Sequence, residues 1–325
     1  MRVGITYDLK SDYLKLGFSE EASAEFDKIE TIEAIDNVLQ SMGFETEKIG
    51  HIKNLTGLLV QGKRWDFVFN ICEGVSGIGR EAQVPALLDA YNIPYVFSDP
   101  MVLSLTLHKA MAKRVIRDAG VPTPDFAVAY TLDDLKEIHL PFPLFVKPLA
   151  EGTGKGINQH SVIRNHEELK KSCENILQSF HQPALIETFL SGREFTVGIV
   201  GTCNEAKSVG VMEIQLTQQA EKEVYSYENK SDYYERVKYF VPEAEMVKKC
   251  EEIALKAWKV LECRDGGRID LRCDDKGIPN FIEVNPLAGL NPIDSDLPIL
   301  ARLNGVSYDE LLKQIIQSAL KRFHL

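Results

Sequence analysis

The 325-residue sequence contains no apolar run long enough to span a membrane. It has no basic excess either: 37 Lys and Arg stand against 48 Asp and Glu, a net charge of −11. Nothing therefore offers a basic stripe for a phosphate backbone, which excludes nonspecific nucleic-acid binding; a small anion needs only local positive charge. Cys72, Cys173, Cys203, Cys250, Cys263 and Cys273 are scattered with no C-x-x-C pair. That argues for buried free thiols in a reducing cytosol. The seven histidines form no cluster and no Gly-x-Ser-x-Gly elbow occurs, which argues against a His- or Cys-centred zinc site and a hydrolase-type serine. Internal repeats and low-complexity tracts are absent. Met1-Arg2-Val3-Gly4-Ile5 runs directly into polar sequence, unlike a secretory leader, so the expected compartment is the cytoplasm.

What is present is ordinary globular material, 44% hydrophobic and 26% charged, enough for two or three domains. Short apolar strands are expected at 2–7, 44–49, 67–71 and 95–97, alternating with helices at 25–42, 54–62 and 81–91. That alternation implies a parallel α/β sheet over the first hundred residues. The segment 104–119 is a basic helix closed by Gly120-Val-Pro-Thr-Pro124, a plausible domain junction. Further strands are expected at 126–130, 143–148, near Ile157, at 184–189, 194–200 and 207–215, with helices at 165–180, 243–261 and 308–323. Residues 216–240 are polar and Tyr-rich and read as a mobile loop.

The stretch Gly267 to Asn285 reads as a hairpin turning at Asp274-Asp275-Lys276-Gly277. Period-2 alternation puts Ile269 and Leu271 on one face and Arg268, Asp270 and Arg272 on the other. On the return strand Ile282 and Val284 share one face, and Phe281, Glu283 and Asn285 the other. Folding at the turn sets Asp270 opposite Glu283. Two close carboxylates repel unless a cation lies between them, and all-oxygen ligands with an amide suit Mg²⁺ beside phosphates. The alternative is an exposed face of unrelated charges.

Gly152-Thr-Gly-Lys-Gly156 lacks the Walker spacing; it is either a plain turn or a backbone wrap for phosphates. Lys147, on an apolar strand, either projects from an edge into solvent or meets an anion. Lys113 and Arg117 read as a solvated helix face. Glu187, ending a strand, is either a salt-bridged edge residue or a reader of an adenine amino group and ribose hydroxyls.

Taken together, these pieces resemble the ATP-grasp superfamily, and within it the D-alanine–D-alanine ligase family. The resemblance rests on Lys109-x3-Lys113-x3-Arg117-Asp-Ala-Gly-Val-Pro-Thr-Pro124, Phe145-Val-Lys-Pro148 with its Gly-rich loop, Gly192-Arg193-Glu194, and Arg268-x-Asp270 with Glu283-x-Asn285-x3-Gly289. It covers essentially the whole chain. It implies an α/β fold: an N-terminal parallel domain over 1–100, a small central α+β domain over 101–190 and a C-terminal antiparallel-sheet domain over 191–325.

The resemblance also implies ATP and two Mg²⁺ ions, with Mn²⁺ as a substitute. By position Lys109 and Lys147 are the phosphate lysines, and Gly152, Thr153, Gly154 and Gly156 the loop over the γ-phosphate. Glu187, Leu190, Glu194 and Phe281 take the nucleoside, and Asp270, Glu283 and Asn285 the metal. Arg268 and the Gly289 N–H resemble the oxyanion groups, and Lys230 the lysine of a mobile loop. Ser295 resembles the contact to the second substrate's carboxylate. Expected partners are small-molecule amino acids, D-alanine foremost, for peptidoglycan; a homodimer is allowed by the resemblance, although no such surface is legible. The implied activity is carboxylate–amine ligation through an acyl phosphate. Its competitors are a related ligase with another amino acid, hydroxy acid or peptide, and an idle ATP-binding sensory module.

The first-substrate side departs from the family. A longer segment, 8–24, precedes the first long helix, so the amine-binding carboxylate falls to Asp27 or Glu30. The family's His-Gly becomes Glu73-Gly74, its lid tyrosine is Ser231, and its Ser-Ser is Thr153-Gly154.

Overall fold

Hydrophobic alternation and helical periodicity give three sheets and the helices that cover them. The computed structural model describes residues 1–217 and 236–325. The expected mobile loop, with Lys230 and Ser231, falls largely outside the described residues.

The first sheet is parallel, in the order β2-β1-β3: β1 (Arg2–Tyr7), β2 (Glu45–Gly50) and β3 (Phe67–Ile71). Helices α1 (Lys10–Lys15), α2 (Ile29–Ser41), α3 (Ile52–Val60) and α4 (Gln83–Ala90) connect or follow its strands. The expected strand at 95–97 is absent; Tyr95 makes only an isolated parallel bridge to Val68. The expected helix at 25–42 starts four residues later, at Ile29, because residues 24–28 are drawn into a bridge between Asp27 and Leu9.

Two further helices, α5 (Pro100–Leu107) and α6 (Lys109–Asp118), meet at His108, whose Nδ1 caps α6 by accepting from the Met111 N–H at 3.2 Å. This break sets Lys109 in the first turn of its helix. The second sheet is antiparallel, β4-β7-β5-β6: β4 (Phe126–Ala129), β5 (Leu144–Pro148), β6 (Val162–Ile163) and β7 (Ala184–Thr188), backed by α7 (His166–Ser179). The strand expected near Ile157 lies instead at 162–163.

The third sheet runs β10-β9-β8-β11-β12 and is antiparallel throughout: β8 (Glu194–Val200), β9 (Lys207–Leu216), β10 (Val237–Phe240), β11 (Gly266–Cys273) and β12 (Pro279–Asn285). Helix α8 (Ala244–Val260) packs on one face through Cys250, Ala254, Ala257 and Trp258. On the other lie α9 (Asp296–Leu303), which the sequence did not announce, and α10 (Tyr308–Phe323). One hydrophobic cluster runs from Val3 and Ile5 on β1 through Ile32 and Ile35 on α2 to Leu312, Ile315 and Ile316 on α10.

Candidate active site

The hairpin has the expected turn, with Gly277 at φ +75° and the Asp274 side chain accepting from the Lys276 and Ile278 N–H groups. Asp270 pairs directly with Glu283. One residue later the register slips: Leu271 faces Phe281, leaving Ile282 as the extra residue of a bulge. The slip reverses the alternation expected for Phe281. That side chain is fully buried in the core under α8 and lines neither of the two cavities described below; Ile282 lines the first of them instead.

On the polar face the Asp270 carboxylate accepts from Thr196 Oγ1 at 2.8 Å, from Asn285 Nδ2 at 3.3 Å and from Arg268. Arg268 also lies 3.8 Å from Asp296, and Lys109 Nζ lies 3.5 Å from Glu283. Burial works against the Arg268 charge, but Asp270 and Asp296 outweigh it and hold its pKa above the ordinary value.

Behind this wall Glu187 sits between two lysines, 2.6 Å from Lys113 Nζ and 2.9 Å from Lys147 Nζ. All three are buried. The solvated reading of Lys113 is therefore wrong: its ammonium is 0% exposed, also donates to Thr123 Oγ1 at 2.6 Å, and is pushed down to about 8 by burial. Thr123 in turn donates to the Phe281 carbonyl at 2.8 Å, tying α6 to β12. β7 and β5 are inner strands, so neither Glu187 nor Lys147 is an edge residue. Burial opposes charge on Glu187, yet the two lysines hold its carboxyl below the usual range. Arg117 does lie in solvent.

Two cavities flank the wall. The first is lined by Phe145, Phe189, Leu190, Ile214 and Ile282, with Lys147, Glu187, Glu194 and Asp270 among its polar groups; Glu194 lies 3.5 Å from Arg272. Its apolar slot with charged ends suits a nucleoside. The second holds Asp27, Glu73, Glu81, Asn285, Gly289 and Ser295. Lys109, Arg268, Glu283 and Asp296 line both. The Gly-rich loop divides between them: Gly154 lines the first, Gly152 and Thr153 the second. Gly156 lines neither, because its backbone at φ +72° packs against Pro148 and Phe180. Ser295 Oγ accepts from the Asn291 N–H at 3.0 Å and so shapes the loop carrying Gly289.

The second cavity is rich in carboxylates. Burial, then Asp8, pushes Asp27 up to about 8, against a hydrogen bond from Thr31. Burial, with Glu25, raises Glu81 to about 7 against the pull of Arg80 and Lys109, and burial with Glu81, Glu25 and Asp27 raises Glu73 well above its ordinary value. The sequence did not single out Thr196, Asp296, Ile282 or Glu81. Thr196 and Asp296 carry no local motif; alternation along β8 could have placed Thr196 beside Asp270.

Two cavities joined at a wall of lysine, arginine and carboxylates, carried by two antiparallel sheets, define an ATP-grasp enzyme. Within that class the chain belongs to the D-alanine–D-alanine ligase family. The family model described as "D-ala D-ala ligase C-terminus" matches residues 115–317. A D-alanine–D-alanine ligase of Aquifex aeolicus is 30% identical over 289 residues, 89% of this chain and 94% of the relative. The uncharacterized protein y4sG of Sinorhizobium fredii is 30% identical over 263 residues, 79% of this chain and 75% of its own. The crystal structure of D-alanine–D-alanine ligase from Bacillus anthracis complexed with ATP superposes with a TM-score of 0.75 at 24% identity, covering 99% and 98% of the two chains.

The donor set fits the divalent metal the family implies. Asp270, Glu283 and Asn285 offer two carboxylates and one amide oxygen, and Mg²⁺ takes few protein ligands, completing its shell with water and phosphate. Among the described residues no group of three or more His, Cys, Asp and Glu is placed to hold a metal ion by itself.

Proposed function

We propose that this protein is an ATP-dependent ligase that joins two D-alanines through an acyl phosphate, supplying a dipeptide for peptidoglycan in the cytoplasm. The observation that carries the reading is the junction: the apolar cleft and the carboxylate-lined cavity meet at Lys109, Arg268, Glu283 and Asp296. A carboxylate bound on one side there meets a phosphoryl donor bound on the other.

In this reading Phe145, Phe189 and Leu190 enclose the base, and Glu194 takes the ribose. Glu187 holds Lys147 at the cleft, and Lys147 and Lys109 bring positive charge to the phosphates. Asp270, Glu283 and Asn285 would hold two Mg²⁺ ions, which when bound offset charge on the transferring group. Asp27 accepts the first substrate's ammonium, with Glu73 beside it. Arg268 and the Gly289 N–H hold the developing oxyanion when the second amine attacks. Ser295 Oγ already accepts the Asn291 N–H, so its hydroxyl proton is left to donate to the second substrate's carboxylate. Lys230, which the resemblance assigns to the phosphates, lies outside the described residues.

A coupled ADP-release assay over D- and L-amino acids tests this. Turnover with D-alanine alone is expected; none above background, with turnover on another pair, overturns the substrate assignment. A second reading, a ligase for a more cationic amino acid or peptide, is favoured by the three carboxylates Asp27, Glu73 and Glu81 that line the second cavity, and the same panel separates it. Arg268→Ala should abolish turnover while nucleotide affinity survives, measured by calorimetry.

A further inference from the structure

The Gly-rich loop is held from behind by a buried ionic cluster that the proposed chemistry does not use. Glu25, on the segment between α1 and α2, accepts the Gly152 N–H through Oε1 at 2.8 Å. Its Oε2 lies 3.0 Å from Lys155 Nζ, and Arg80 Nη2 reaches both oxygens at 3.2 and 3.1 Å. Arg80 Nη1 donates to the Ala150 carbonyl at 2.9 Å. Thus Glu25 and Arg80, from two separate N-terminal segments, hold the start of the loop at Gly152 and Ala150. Lys155 grips back from the loop. The approach is as close as glycine permits, since a Cβ on Gly152 would stand 2.6 Å from Glu25 Oε1.

The three side chains are only 7 to 9% exposed. For such pairs the desolvation cost largely cancels the Coulomb gain, so the cluster adds little net stability over an apolar plug; what it adds is a fixed position. The loop it fixes lines the nucleotide cleft through Gly154 and Lys155 and the second cavity through Gly152 and Thr153. Two residues beyond Glu25 is Asp27, on the wall of that second cavity.

Glu25 also lines this cavity, yet its oxygens are already shared among two cations and an N–H. Burial opposes its charge, and Arg80 and Lys155 outweigh it and hold the carboxyl below the ordinary range. An incoming ammonium would be a third cation on a filled carboxylate.

We propose that Glu25, Arg80 and Lys155 form a latch that positions the Gly-rich loop against the first-substrate segment, so that phosphate cover and substrate cavity are set together. These are positioning residues, and their role in turnover rests on the ligase reading above; their hold on the loop does not. With the latch intact, water is kept from the activated carboxylate.

The test uses the full-length chain and the variants Glu25→Gln, Lys155→Met and the milder Arg80→Lys. Hydrogen exchange of the 152–156 amides in the nucleotide-free protein reads the latch without any activity. Faster exchange at 152–156 in Glu25→Gln and Lys155→Met, beyond any change in the α8 amides that report global opening, is expected; unchanged exchange in all three overturns the latch. If wild type releases ADP with an amino acid pair, the ratio of ADP to amide product is measured next. A severalfold rise in both variants, with the double variant no worse than the worse single, supports coupling. A one-to-one ratio with a tenfold higher amino-acid KM in Glu25→Gln would make Glu25 an amine contact and overturn the proposal. Wild type that releases no ADP with any pair sinks the ligase reading and leaves the exchange result standing.

Discussion

Protonation of Asp27 ties the stability of the nucleotide-free molecule to pH. Its folded pKa of about 8 lies above the ordinary carboxylate value of 3.8. The folded chain therefore holds a proton that the unfolded chain releases. Stability from this group is complete below about pH 4 and is lost as pH rises through 8. Glu81 acts in the same direction up to about pH 7. Melting temperature should thus fall between pH 5 and 8, and Asp27→Asn should remove up to one proton of slope, about 1.4 kcal/mol per pH unit. An unchanged pH profile would place the shift elsewhere. Lys113 poses a different question, because its partner Glu187 is also buried. Lys113→Met leaves that carboxylate with Lys147 alone. A loss of about 3–5 kcal/mol is expected in denaturant unfolding, the usual cost of breaking one side of a buried pair.

At the scale of elements, the bulge in the β11–β12 hairpin gives an experiment that a regular hairpin would not. Phe281→Ala should cost about 3–5 kcal/mol of stability and leave nucleotide affinity unchanged, since the ring packs under α8. Ile282→Ala should weaken nucleotide binding and hardly change stability. The reverse pattern would mean the strand keeps its phase. The hairpin itself was legible in sequence, because turn residues and alternation are local signals. The bulge was not, because a one-residue slip leaves no mark in composition yet turns every later side chain over. Tyr95–Phe97 shows the converse: β-forming residues without a full partner strand make only a bridge. Nor could the latch be read, since Glu25 and Gly152 are 127 residues apart and meet only once the sheets are assembled. Lys113 was misread for a similar reason: its helix is basic, and only the fold brings Glu187 to it.

At the scale of the whole molecule, ligand linkage tests the site as a unit. A nonhydrolysable ATP analogue at 100 times its dissociation constant should stabilise the fold by about 2.7 kcal/mol. If Asp270, Glu283 and Asn285 hold the metal, most of that gain should vanish in a melting experiment when Mg²⁺ is chelated, and in Glu283→Asp. Equal shifts with and without Mg²⁺ would remove the metal role from the hairpin.

The cluster joining β1, α2 and α10 also bears on how the chain is made. Its first apolar residue leaves the ribosome some 305 positions before α10 begins, from Val3 to Tyr308. At 5–20 residues per second that interval is roughly 15–60 s. During it the apolar face of α2 that α10 covers waits for the last helix to be synthesised. A ribosome stalled before residue 308 therefore releases a chain with an open hydrophobic seam, a substrate for chaperones rather than a smaller working enzyme.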